Sequence, residues 1–139
     1  MDNLKITKIF GFFAVFVFAL FLYSIPSNAG APLNLIDNAT GGNCIIFGNW
    51  DDSTKTCTLT TNANGSAVTF IDNGITLDCD GSTIQGAGGG IGITIDNKRN
   101  IVVKRCIVDN WSSGIRVFNR SNNILLFKNN ITNCADGIG

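Results

Sequence analysis

An internal repeat with a period of 22 to 26 residues dominates the second half of this 139-residue chain. Two copies, GITIDNKRNIVVKRCIVDNWSSGI (92–115) and GIRVFNRSNNILLFKNNITNCADGI (114–138), share three short apolar stretches separated by polar turns, and AVTFIDNGITLDCDGSTIQGAGGG (67–90) is a more divergent copy. The stretches form three tracks, which begin at Val68, Ile93, Ile115 and Ile138, at Ile75, Ile101 and Ile124, and at Ile84, Val108 and Ile131. Three tracks that keep one period independently indicate a structural unit.

A period in this range with three short strands matches one coil of a parallel β-helix, in which each strand meets its equivalent one coil later at about 4.8 Å. Leucine-rich repeats have a similar period, but the Leu and Asn pattern that they require is absent. The chain has no Glu, no His and one Met, and it is rich in Ile, Val, Thr, Asn and Gly. Such a composition favours strands and tight turns over helices.

Alternate residues of each strand are expected to point inward and to stack on their counterparts one coil away. The predicted inward columns are Val68/Ile93/Ile115/Ile138, Phe70/Ile95/Val117, Ile75/Ile101/Ile124, Leu77/Val103/Leu126 and Ile84/Val108/Ile131. The predicted outward columns of the second strand are Thr76/Val102/Leu125 and Asp78/Lys104/Phe127. Asparagines at the corners are expected to adopt left-handed backbone and to hydrogen-bond along ladders between coils; they are Asn97, Asn100, Asn123, Asn129, Asn130 and Asn133.

The motifs NGITLDCDGSTIQG, RNIVVKRCIVDN and NNILLFKNNITN resemble those of the right-handed parallel β-helix repeat proteins of the pectin-lyase-like superfamily. The resemblance covers about residues 67–138 and implies an all-β fold, a right-handed single-stranded parallel β-helix of about three coils. The superfamily includes pectate lyases, polygalacturonases, epimerases, phage tailspikes and adhesins, so the resemblance implies a fold and leaves the activity open.

The chain divides into three predicted segments. Residues 1–29 read as a signal peptide, because two lysines precede an apolar run and Ser27-Asn28-Ala29 suits cleavage before Gly30. An uncleaved membrane anchor is the alternative, since the apolar run reaches the lower length limit for a span. Residues 30–66 are expected to cap the solenoid, and residues 67–139 to form the repeats. Ile138 begins a further coil, so we expect an N-terminal part of a longer protein, with C-terminal coils beyond Gly139 as partners of these repeats.

All five cysteines follow the predicted signal, which favours disulfides in a secreted or cell-surface protein. Cys44 and Cys57 flank a short loop and are the preferred pair. Cys79, Cys106 and Cys134 lie inside the repeats, where a small buried hydrophobe is the simpler interpretation. The odd total leaves at least one thiol unpaired, or paired outside this chain.

Charge and composition narrow the function. Ten basic and ten acidic residues are scattered, so no nucleic-acid partner is expected. The lack of His excludes Ser-His and Cys-His catalysis within the chain. Binding of an extracellular polysaccharide is the favoured function. The alternatives are a polysaccharide lyase, hydrolase or epimerase with its catalytic site in C-terminal coils, and a structural surface or adhesin module.

The predicted ligand-binding residues lie on the second-strand face and its corner: Asp78, Asp80, Lys104, Arg105 and Lys128, with Trp111 at a different corner as a residue that could stack on a sugar. The basic side chains would match glycan carboxylates, and Asp78 with Asp80 would recruit calcium as the cofactor. The simpler interpretation is a surface ion pair between Asp78 and Lys104, and packing of Trp111 over a neighbouring corner. Replacing Lys104 and Arg105 with alanine is expected to weaken binding and to leave stability nearly unchanged.

Overall fold

The computed structural model describes residues 30–139, so the predicted signal peptide or anchor lies outside the described residues. Fourteen short strands and one helical turn, α1 (Cys44–Phe47), form the described part of the chain. The strands are β1 (Leu33–Leu35), β2 (Gly48–Asp51), β3 (Thr56–Leu59), β4 (Ala63–Asn64), β5 (Val68–Phe70), β6 (Thr76–Asp78), β7 (Thr83–Gln85), β8 (Ile91–Asp96), β9 (Arg99–Lys104), β10 (Ile107–Asp109), β11 (Ser113–Phe118), β12 (Asn122–Phe127), β13 (Asn130–Thr132) and β14 (Asp136–Ile138).

The strands stack into three sheets, as a parallel β-solenoid requires. The first sheet has the order β1-β5-β8-β11-β14, the second β2-β3-β6-β9-β12 and the third β4-β7-β10-β13. Every pairing is parallel except that of β2 with β3. The predicted all-β fold is therefore confirmed, with about four turns rather than three.

The strand register follows the predicted columns. Ile93 pairs with Val68 on one side and with Ile115 on the other, and Ile115 pairs with Ile138. In the second sheet Val103 lies between Leu77 and Leu126. The inward side chains of the inner coils are buried, whereas Leu126 in the last coil is half-buried and Ile138 is 60% exposed. The solenoid core thus runs along the axis as stacked aliphatic layers.

The additional turn comes from residues 30–66, which were expected to form only a cap. Strands β1, β3 and β4 of this segment pair in parallel with β5, β6 and β7, so the segment builds the first coil itself. Strand β2 folds back along the outer edge of β3, and Asn43 donates its backbone N–H to the carbonyl of Asn34 on β1. These contacts occupy backbone groups that the first coil would otherwise leave unpaired. The predicted Cys44–Cys57 disulfide is present and ties α1 to β3.

The corners depend on left-handed backbone, as predicted for several asparagines. Asn100 and Asn123 have φ of 57° and 53°, and the side-chain amide of Asn123 donates to that of Asn100 over 2.6 Å. Asn129 lacks positive φ but bridges coils in another way, since its side chain accepts from Cys106 N and donates to Val103 O. The ladder prediction is confirmed at these corners.

Candidate functional site

The predicted ligand-binding face contains a buried carboxylate, Asp78, at the end of β6. Only 5% of the residue is exposed. Arg105 donates two hydrogen bonds to the Asp78 carboxylate, from Nε to Oδ1 at 2.8 Å and from Nη2 to Oδ2 at 2.6 Å. Lys104 Nζ lies 3.2 Å from Oδ2. The backbone N–H of Asp80 also donates to Oδ1 at 3.0 Å. The expected ion pair between Asp78 and Lys104 on adjacent coils is therefore present, but Asp78 is buried rather than exposed, and Arg105 contacts the same carboxylate.

The register and one corner residue explain this geometry. Pairing of β6 with β9 sets Lys104 directly beside Asp78. Arg105 follows with a φ of 56°, at the point where the chain turns away from β9. From there its guanidinium reaches back to the preceding coil, where Nη1 also lies 2.7 Å from Asp80 Oδ1. We refer to Asp78, Asp80, Lys104 and Arg105 as the Asp78 cluster.

Burial and hydrogen bonding act in opposite directions on the Asp78 carboxyl. Burial raises its pKa, but hydrogen bonds from Arg105, from the Asp80 amide and from Lys104 outweigh that effect and hold the pKa below its ordinary value. The hydrogen bond to Asp78 correspondingly raises the pKa of Arg105. Both shifts favour the charged forms, so the Asp78 carboxylate and the Arg105 guanidinium form a stable ion pair.

This arrangement limits the chemistry available to Asp78 and Asp80. A general base needs a carboxylate free to accept a proton near neutral pH, whereas both Asp78 oxygens are held by cations. Calcium needs six to eight oxygen ligands, and Arg105 occupies the space between the two carboxylates. Among residues 30–139 no three His, Cys, Asp or Glu side chains converge on a metal-sized site. Asp78 and Asp80, the predicted calcium ligands, instead both form ion pairs with Arg105.

A second disulfide lies at the same corner and was missed by the sequence interpretation. Cys79 and Cys106 are bonded across adjacent coils, with their Cα atoms 4.7 Å apart. Each follows the end of an equivalent strand, β6 or β9, and this equivalence was the available signal. Cys134 is the free cysteine of the described residues and is half-buried. Covalent and ionic links between two coils thus coincide at the Asp78 cluster.

Lys128 lies one coil beyond Arg105 and belongs to a different environment. Its ammonium sits 5.0 Å from the centre of the Phe127 ring, in a cation–π contact. Phe127 is 47% exposed and pairs in register with Lys104, while Leu125 beside it is 54% exposed. Lys104 and Lys128 therefore both lie beside Phe127, at one end of an exposed apolar surface on β12.

Trp111 is not available to stack on a sugar. The residue is only 8% exposed, and its indole N–H donates to the carbonyl of Ile84 over 3.0 Å. Its ring covers Gly86 in the preceding coil so closely that a Cβ there would lie 2.6 Å from it. The glycine-rich corner after Gln85 makes room for the indole, which packs on the solenoid as the alternative interpretation expected.

The sequence interpretation also missed a shallow polar depression at the opposite end of β9 and β12. Its volume is about 480 Å³, and it is lined by Asp96 and Asn97 after β8 and by Asn119 and Arg120 after β11. Asn119 Nδ2 donates to Asp96 Oδ1 at 2.7 Å, joining the two coils. We call these four residues the corner depression. Its signal in the sequence is the polar corner that recurs as DNK and NRS one coil apart.

Comparisons with protein-family models, with curated proteins and with solved structures found no match to this chain. No helix among residues 30–139 is long and apolar enough to cross a membrane. Two disulfides within this part of the chain are typical of proteins that fold in an oxidising compartment.

Proposed function

We propose that this chain is a secreted or cell-surface β-solenoid that binds an extended acidic polysaccharide. The observation that carries the proposal is the outer face of β9 and β12, where Lys104, Arg105 and Lys128 lie on adjacent coils at one end. Stacking of adjacent coils brings these side chains together at this end of the face, where they can pair with the carboxylates of an acidic glycan.

The cations of the Asp78 cluster are held in place and still have donors to offer. Lys104 directs one of its three ammonium donors at Asp78. Arg105 donates two of its five N–H groups to Asp78, and its Nη1 forms an ion pair with Asp80. The Lys104 and Arg105 side chains are 36% and 45% exposed. Cations fixed by a buried partner lose less side-chain entropy on binding than free ones do.

Exposed apolar groups beside these cations add a second kind of contact. Phe127 presents a ring and Leu125 an aliphatic side chain to solvent, and both lie on β12. A sugar ring has an apolar C–H face that packs against such groups. The face therefore combines charge for the carboxylates with an apolar surface for the rings.

Binding of the exported, purified chain to an array of neutral and acidic glycans tests the proposal. We expect binding to polyuronates that weakens as salt rises, since exposed charges are screened. Lys128→Ala should weaken it about tenfold, as expected for loss of a charged contact. Arg116→Ala is the matched control, because Arg116 lies on β11 of the first sheet, with its guanidinium 4.7 Å from the Phe118 ring. A folded chain that binds no glycan would overturn the proposal.

A structural module is the second candidate, and the Asp78 cluster favours it. The cluster and the Cys79–Cys106 disulfide join the same two coils at one corner, which stabilises the solenoid irrespective of any ligand. Failure to bind any glycan, with an intact fold, is the result that this candidate predicts.

A further inference from the structure

We propose that the corner depression is a second saccharide-binding subsite, so that a bound glycan runs along β9 and β12 rather than along the solenoid axis. This inference rests on the proposed function and adds to it the direction in which the glycan lies and a second site that binds it. The corner depression lies at the start of β9 and β12, and Lys104 and Lys128 lie at their opposite end. No residue of the depression was among the predicted ligand-binding residues.

The depression offers the polar groups that recognise sugar hydroxyls. Asp96 Oδ1 accepts from Asn119, and among residues 30–139 the Asp96 carboxylate has no cation within salt-bridge distance. Arg120 likewise forms no ion pair with any described residue. A carboxylate accepts hydrogen bonds from hydroxyls, and a guanidinium donates several, so neighbouring hydroxyls of one sugar could be bound between them.

The backbone holds these groups in position without help from a ligand. Asn97 and Arg120 adopt φ of 50° and 52°, conformations fixed by the corner. The hydroxyl of Ser121 donates to the carbonyl of Phe118 at 2.6 Å and accepts from the backbone N–H of Lys98 at 3.1 Å, which ties the two coils beneath the depression. The subsite is therefore rigid in its backbone, and only exposed side-chain ends need to order on binding.

The separation of the two ends suits an oligosaccharide. Strand β9 spans Arg99–Lys104, six residues, and at about 3.3 Å per residue the two corners lie roughly 20 Å apart. Val102 and Leu125 pair between them and supply an apolar floor. A ligand that spans both corners must be several sugars long, whereas a disaccharide can occupy only one of them.

Calorimetry with oligogalacturonates of two and six sugars tests the inference on the exported full chain. We expect the hexamer to bind at least tenfold more tightly than the dimer, since two linked sites raise affinity. Asp96→Ala and Arg120→Ala should each weaken hexamer binding about tenfold, consistent with loss of a charged hydrogen bond. Arg116→Ala is the control and should leave binding unchanged, and thermal melting checks that each variant is folded.

The possible outcomes separate the two proposals. If the parent binds the hexamer and Lys128→Ala weakens it, while both depression variants bind as the parent does, the subsite is refuted and the proposed function stands. If the parent binds no oligogalacturonate or other glycan, both are refuted. Equal losses of hexamer binding in Arg116→Ala and Arg120→Ala would also refute the subsite, because such losses would reflect only the change in net charge.

Discussion

Replacing Asp78 with asparagine should destabilise the solenoid far more than the same change at Asp80. The two carboxylates contact the same guanidinium, but the Asp78 side chain is 7% exposed and the Asp80 side chain 58%. Asparagine preserves the size of the side chain, so the comparison isolates charge and hydrogen bonding from packing. The pair of variants therefore tests whether burial makes this ion network structural.

The loss of stability expected for Asp78→Asn follows from the contacts of Asp78 Oδ2. This oxygen lies 2.6 Å from Arg105 Nη2 and 3.2 Å from Lys104 Nζ. With the amide oxygen at the Oδ1 position, an NH₂ group faces two donors and both contacts are lost. A buried charge-assisted hydrogen bond contributes about 1.5–3 kcal/mol, and water reaching the half-exposed cations offsets part of the loss. We expect Asp78→Asn to lower the free energy of unfolding by about 2–3 kcal/mol, against under about 1 kcal/mol for Asp80→Asn.

Urea unfolding at neutral pH measures this difference, and its pH dependence identifies the cause. The pKa of Asp78 is lowered in the folded state from an ordinary 3.8. The stabilisation is therefore complete well above that value and is lost as the pH falls below it, through the folded-state pKa. The gap between Asp78→Asn and the parent should narrow over that acidic range. An Asp78→Asn variant within about 1 kcal/mol of the parent at pH 7, or equal losses in both variants, would refute the reasoning.

Two further perturbations test the core and the covalent link. Ile101→Asp should unfold the chain, because Ile101 is fully buried and a charge there has no partner. Val102→Asp, on the outer face, should be tolerated. Circular dichroism distinguishes a folded from an unfolded variant, and the reverse result would show that the strand register is wrong by one residue. Cys79→Ser should lower the free energy of unfolding by about 3 kcal/mol, because the covalent constraint between the two coils is lost. Denaturant unfolding without reductant measures this change, and an unfolding midpoint equal to the parent's would show that the disulfide does not stabilise the fold.

The repeat predicted the coil register because strand periodicity and coil length together leave little freedom. A shift of one residue would expose a column such as Ile93/Ile115 and bury Thr94/Arg116 instead. The aliphatic columns therefore identify the inward face of each strand from the sequence alone. The same reasoning could not identify the first coil, because α1 and β2 are inserted between its strands and interrupt the period.

The outward residues were harder to predict, because outward orientation is not the same as exposure. Asp78 points away from the core, yet side chains from the next coil cover it. Trp111 occupies a corner, yet a corner of glycines in the preceding coil lets it pack down. Both outcomes depend on what the adjacent coil supplies at the same corner. The Cys79–Cys106 bond was missed for the same reason, since the strand periodicity does not determine which corner residues of adjacent coils meet.

The burial of Asp78 also changes how glycan binding must be tested. Alanine at both Lys104 and Arg105 was expected to leave stability nearly unchanged, on the premise of exposed ion pairs. That premise is wrong, since the double variant would leave a buried carboxylate without either cation. Any loss of binding in it would then be confounded with loss of structure. Lys128 has no such partner among the described residues and contacts an exposed ring, so its removal changes the binding face while leaving the Asp78 cluster intact.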